Sequence, residues 1–160
     1  MTKILLTTFF LLLSSFAIAE EPDEKTPEKN KTAVWLNAGM LSHHFNRNKN
    51  LHEDNHGFGA EVMIDDDNSV TAGYFKNSDS QPSNYAGWVW KPMTWGPARV
   101  GVVVAMLDGY PRMHDGGWFP AALPVVSFEY RSVGVNLLFI PPVGNKVYSA
   151  VVAQFKLRVW

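Results

Sequence analysis

Two short pairs, His43-His44 and Asn77-Ser78, carry the chemistry this sequence can offer. An imidazole within reach of a serine hydroxyl can serve as general base for acyl transfer. The competing reading makes these residues ordinary rim groups that bond to water and lipid headgroups. His52, Glu53, Asp54, His56, Asp108, His114 and Asp115 can be gathered on paper into an outer-loop metal site, but their spacings match no ligand pattern. No metal site is therefore expected. A Gly-x-Ser-x-Gly elbow, a His-Glu-x-x-His pair and a glycine-rich phosphate loop are all missing from the sequence.

To share a site, the two pairs must be brought to one end of a sheet. From residue 33 onward the chain falls into eight runs of strand character, about 33–45, 57–64, 69–76, 84–91, 98–107, 119–130, 133–140 and 147–160. No run has a helical period. Many approach the roughly 9–11 residues with which a tilted strand crosses a bilayer. Their connections alternate: 65–68, 92–97 and 131–132 are short, whereas 46–56, 77–83, 108–118 and 141–146 are mostly longer and more polar. In bacterial barrels short turns face the periplasm and long loops face outward. The expectation is an eight-stranded antiparallel transmembrane β-barrel over 33–160, with His43-His44 and Asn77-Ser78 at its outer rim.

Composition agrees with an exported barrel. Residues 1–19 have a basic start at Lys3, an apolar run and a small-x-small end at Ala17-Ile18-Ala19, the features of a cleaved signal peptide. Residues 20–32 are charged, contain two prolines and read as a flexible leader. The sequence has no cysteine, which excludes disulfides, a thiol nucleophile and a thiolate metal site. Its net charge of -1, with both signs interspersed, gives no support to a nucleic-acid partner. Aromatic residues make up 13%, which suits the interfacial girdles of an outer-membrane barrel, with a monomer expected. A soluble lipocalin-like carrier would need a polar outer face, and the fourth, fifth and seventh runs leave too few polar residues for one.

Alternation within the runs is informative. Ala86, Trp88 and Trp90 share one face and Tyr85, Gly87 and Val89 the other, while 98–107 is apolar on both faces. Eight strands are too few for an open channel. The interior is then either a packed plug or a hydrocarbon pocket. Pro120, Pro124 and Pro141 cannot donate to a ladder, so each either marks a bulge or strand end or weakens a seam between the sixth and seventh strands.

The stretch Phe75-Lys76-Asn77-Ser78, followed after seven residues by Ala86-Gly87, resembles the lipid A palmitoyltransferase family, PagP, of Gram-negative outer membranes. Pro120, Pro124, Ser127 and Tyr130 fall at that family's spacing, Phe139-Ile140-Pro141 is similar to its Tyr-Ile-Pro, and the region 53–59 is similar to its first outer loop. The resemblance spans about 43–160. It implies an eight-stranded barrel that holds one acyl chain and moves it from phospholipid to lipid A without metal or cofactor. It also implies catalytic roles for His44, with His43 as the fallback, and for Asn77 and Ser78.

Three departures from the family stand out. Asn77 replaces an aspartate, which removes a carboxylate that could orient a histidine. The family's leading amphipathic helix is missing. Val89 stands where glycine can occur near the pocket floor, which implies a shorter bound chain. With Val89, the resemblance makes Pro120, Pro124 and Pro141 the lipid-binding positions. The alternative is a non-catalytic outer-membrane barrel of the same fold with a structural or lipid-binding role.

Overall fold

A computed structural model describes residues 32–49 and 51–160. The expected signal peptide, and the expected leader apart from Thr32, lie outside the described residues. The strands are β1 (Val34–His44), β2 (Gly57–Met63), β3 (Asn68–Lys76), β4 (Pro82–Trp95), β5 (Ala98–Leu107), β6 (Phe119–Tyr130), β7 (Val133–Ile140) and β8 (Ala150–Arg158). Each pairs antiparallel with its sequence neighbours, and β8 pairs with β1, so the sheet closes into a barrel. Closure leaves no strand edge of the kind that invites further pairing.

Two strand limits differ from the sequence reading by three residues or more, each for a local reason. The turn expected at 92–97 is mostly strand: β4 runs on to Trp95, and the register shift between Trp90 and Met93 accommodates Pro92. The chain reverses at Gly96, whose φ of +56° suits glycine. At the other end β8 begins at Ala150 rather than at 147, because Val147 is drawn into a turn by its bridge to Val143.

The period of two sorts side chains in an order opposite to that of a water-soluble barrel. Trp88, Trp90, Val104, Met106, Phe155 and Leu157 are exposed on the outside, while Glu61, Lys91 and Lys156 are buried inside. Trp95, Tyr130 and Trp160 are exposed around the end that carries the tight turns. In the lower interior Glu61 sits between two ammonium groups, 3.2 Å from Lys91 Nζ and 3.0 Å from Lys156 Nζ. Glu129 approaches the same lysines at 3.3 and 2.7 Å. Ser69 donates to Glu61 Oε1 and Asn136 to Oε2, at 2.8 and 3.3 Å. The lower half is therefore plugged by a charge-balanced network, and the upper half is apolar, with Val89, Val103, Ala105 and Val125 packed together. Plug and pocket, the two interiors left open by the sequence, occupy different halves.

Two seams are incomplete near the loop end. The β1–β2 ladder covers only Val34 to Ala38, and above it the loop takes over: Ser42 N donates to Glu53 O at 2.8 Å and Asn55 N to Met40 O at 2.9 Å. The β6–β7 ladder runs from Val125–Leu138 down to Tyr130–Val133 and stops there, leaving Phe119 to Pro124 paired with β5 alone. Pro120 and Pro124 lie in that stretch, four residues apart and so on the same side of the ladder. The β5–β6 register passes through both without a shift, so their missing donors weaken the β7 side.

Breaking the plug should be costly. Glu61→Ala leaves two buried lysines with Glu129 alone to balance them, and a loss of about 3–5 kcal/mol is expected in urea unfolding of the detergent-solubilised barrel. Asp66→Ala, in an exposed turn, should change stability by less than about 0.5 kcal/mol. Equal effects of the two would mean that the ion network does not hold the barrel.

Candidate functional site

The apolar upper half encloses a cavity of about 120 Å³. Val89, Val103, Leu123, Leu138 and Val152 form its walls, and Tyr85, Thr71, Gln154, Asn136 and Glu61 reach it from below. His44, Ser78, Asp79, Arg112 and Lys146 line it from the strand ends and loops above. The cup is thus a hydrocarbon volume between a polar floor and a polar mouth, which suits a chain-like apolar ligand with a polar head.

The period of two also separates the adjacent histidines. His44 faces inward, is buried and lines the cavity, whereas His43 faces outward beside Phe45, with ring centroids 6.1 Å apart. His44 Nδ1 is buried and has no hydrogen-bond partner among the described residues. Glu53 Oε1 lies 3.9 Å from it and accepts the backbone N–H of His44 at 3.0 Å. Arg47 Nη1 donates to the same carboxylate oxygen at 2.9 Å. These contacts hold Glu53 below the usual carboxylate range, the His44 N–H first and the Arg47 guanidinium after it.

Asn77 and Ser78 follow β3 and have different tasks. Asn77 is fully buried, and its amide donates to Ser83 Oγ at 2.9 Å and to Gly109 O at 2.8 Å. Its side-chain oxygen accepts from the N–H groups of Asp79 and Gln81, at 2.9 and 3.0 Å. Every polar group of this amide is used: three bonds hold the loop between β3 and β4 to itself and to β4, and the bond to Gly109 staples it to the neighbouring loop. Ser78 lines the cavity, and its carbonyl accepts from His52 N at 3.0 Å, which ties the first loop to the second.

Val89 is buried in the cavity wall. The rings of Pro120 and Pro124 point outward and form no part of that wall; what they border is the β6–β7 seam. Pro141 follows the end of β7 and is half-buried.

Other residues at the mouth gave no sign in the sequence. Asn55, in a polar loop, accepts from Ser42 Oγ at 2.6 Å and donates to Lys76 O at 2.9 Å, joining the tops of β1 and β3. Tyr110 also lines the cavity, and burial, with a smaller effect from the Asp79 charge, pushes its phenol well up and keeps it neutral. Arg112 reaches Asp79 at 2.6 Å and stands 5.2 Å from the centre of the Tyr148 ring. Only three-dimensional pairing brings these loops together, and none has a spacing that announces it.

No protein-family model matches the sequence, and no curated protein sequence matches it. Among solved structures the fold is similar to the solution NMR structure of the de novo designed TMB2.3, with a TM-score of 0.58 and 12% identity. That match covers 84% of this chain and 99% of the designed one. It supports a small closed barrel of eight strands.

The role of Asn77 is open to a direct check. Asn77→Asp keeps the shape but cannot donate to Ser83 and Gly109, and it sets a charge against a carbonyl. A lower urea midpoint, worth about 1–3 kcal/mol, and faster proteolysis at 77–83 are expected. An unchanged midpoint would show that the amide does not hold the loop.

Proposed function

We propose that this chain is an outer-membrane barrel that takes one acyl chain of a phospholipid into its upper cup and transfers it to lipid A, a reaction of the PagP kind. The observation that carries this reading is the cup itself: an apolar cavity closed below by ions, with His44 and Ser78 among the residues lining it. The incomplete β6–β7 seam supports it, because unpaired backbone facing hydrocarbon costs several kcal/mol and a gap there would let a lipid chain pass sideways into the cup. Export through a cleaved signal at 1–19, a monomeric barrel and an apolar belt around it belong to the same reading.

The reaction follows from the chemistry of the mouth. A hydroxyl of lipid A attacks the ester carbonyl of the donor, and a new C–O bond forms. His44 takes the hydroxyl proton and returns it to the glycerol oxygen as the old ester bond breaks. The Ser78 hydroxyl donates to the carbonyl oxygen as negative charge builds on it. Asn77 acts as scaffold for Ser78, since its amide is committed to the loop. No cofactor takes part.

The commitment of Asn77 also favours a second reading, a barrel of this fold that holds a lipid chain without reacting it. Mass spectrometry of lipid A from cells with and without the protein separates the two. An added acyl chain that disappears with Ser78→Ala and with His44→Ala is expected. No added chain would leave the non-catalytic reading, and an added chain that survives both substitutions would remove Ser78 and His44 from the reaction.

Chain length offers a separate check. Val89→Gly opens the cavity wall, and each further buried methylene is worth about 0.8 kcal/mol, or about fourfold in preference. The transferred or bound chain should lengthen. An unchanged length would show that Val89 does not set the depth of the cup.

A further inference from the structure

The buried, unpaired Nδ1 of His44 requires an explanation, because a polar atom left without a partner inside a protein is costly. The charged groups that bear on this ring are Glu53, His43, Arg47 and Asp79. His43 turns outward and pairs with Arg47 Nη2 at 3.2 Å. Asp79 is held by Arg112 at 2.6 Å. Glu53 remains, and its Oε1 at 3.9 Å is the carboxylate oxygen within ion-pair distance of Nδ1 among the described residues. The carboxylate is pinned from two sides, by the His44 backbone N–H and by Arg47, so its position relative to the ring is fixed.

We propose that Glu53 is the positioning carboxylate of the site, holding the proton of neutral His44 on Nδ1 and leaving the lone pair of Nε2 for the cavity. A negative oxygen opposite Nδ1 favours an N–H there and disfavours a lone pair, and a neutral imidazole has only one N–H to place. The role that a carboxylate at position 77 would otherwise fill is taken from the first loop, which leaves Asn77 free to staple the second. The inference rests on the proposed function only in giving the Nε2 lone pair a use, since the tautomer itself is a property of the resting protein.

The test is ¹⁵N–¹H NMR of the histidine side chains in the full chain in detergent micelles, above the titration of His44. Wild type should show His44 as the Nδ1–H form. Glu53→Gln keeps an oxygen to accept the His44 backbone N–H but removes the charge, and the His44 signals should move toward the Nε2–H form. Asp79→Asn should leave them in place. An Nε2–H form in wild type, no change in Glu53→Gln, or a change in Asp79→Asn instead would each overturn the proposal.

Acylation of lipid A gives the functional arm. Glu53→Gln should lower kcat by roughly tenfold or more with KM little changed, a smaller loss than the about 10⁴ of a directly bonded triad because 3.9 Å is longer than a hydrogen bond. A loss confined to KM would mean that Glu53 only shapes the loop, against the proposal. If wild type transfers no acyl chain, the transferase reading fails, while the tautomer still decides the role of Glu53.

Discussion

The structure depends on one buried carboxylate. Glu61 on β2 is almost wholly removed from solvent and holds Lys91 of β4 and Lys156 of β8, while Glu129 of β6 completes the set. The four charges come from alternate strands around the barrel and balance in sign. A buried ion pair gains little net stability over an apolar replacement, because desolvation offsets most of the attraction. Its effect here is on specificity. Slipping any of these strands by one residue would turn its charge from the interior to the outer, apolar face, which a hydrocarbon surrounding does not tolerate. The inward charges therefore fix register and closure together.

That constraint divides the interior and so limits function. Among the described residues the lower half is filled by ions and their partners Ser69, Asn136 and Gln154. Any ligand of the apolar cup above the network must enter from the loop end or sideways. The hydrogen bonds from Gln154 and Asn37 to Tyr85 OH, at 3.4 and 3.2 Å, make the floor of that cup the top of the polar network. A change that loosens the ions would reach the cup through this floor.

The barrel was legible in the sequence because each step of it is local. Alternation set Tyr85 and Val89 on the face opposite Trp88 and Trp90, which proves to be the inner one, and loop lengths put both candidate pairs at one rim. Strand limits were less legible where tertiary pairing overrode a local signal, as at Pro92, where a bulge lets β4 continue. The Glu61 network was not legible at all. Single charges on four separate strands have no shared spacing, and a lone Glu within 57–63 reads as an ordinary solvated residue. Asn77 was found for its position, yet its task could not be read, because Ser83 and Gly109 are brought to it only by the fold. Glu53 was noticed among loop acids, but nothing in its spacing pointed to His44.

The firmness of the lower half explains why the upper half can be irregular. Ladder bonds are given up at two seams near the loop end, and the protein treats them differently. Beside β1 the segment containing Glu53 and Asn55 replaces the missing strand partner, so the wall next to His44 is closed and the ring is clasped. Between β6 and β7 no comparable replacement is seen among the described residues, and two prolines keep that side short of donors. β7 and β8 stand between this open seam and β1. A lipid chain entering there would cross the mouth of the cup before its head reached His44. His44 and the open seam are thus held apart by rigid strands, and the loops that connect them carry the hydrogen bonds that set the geometry.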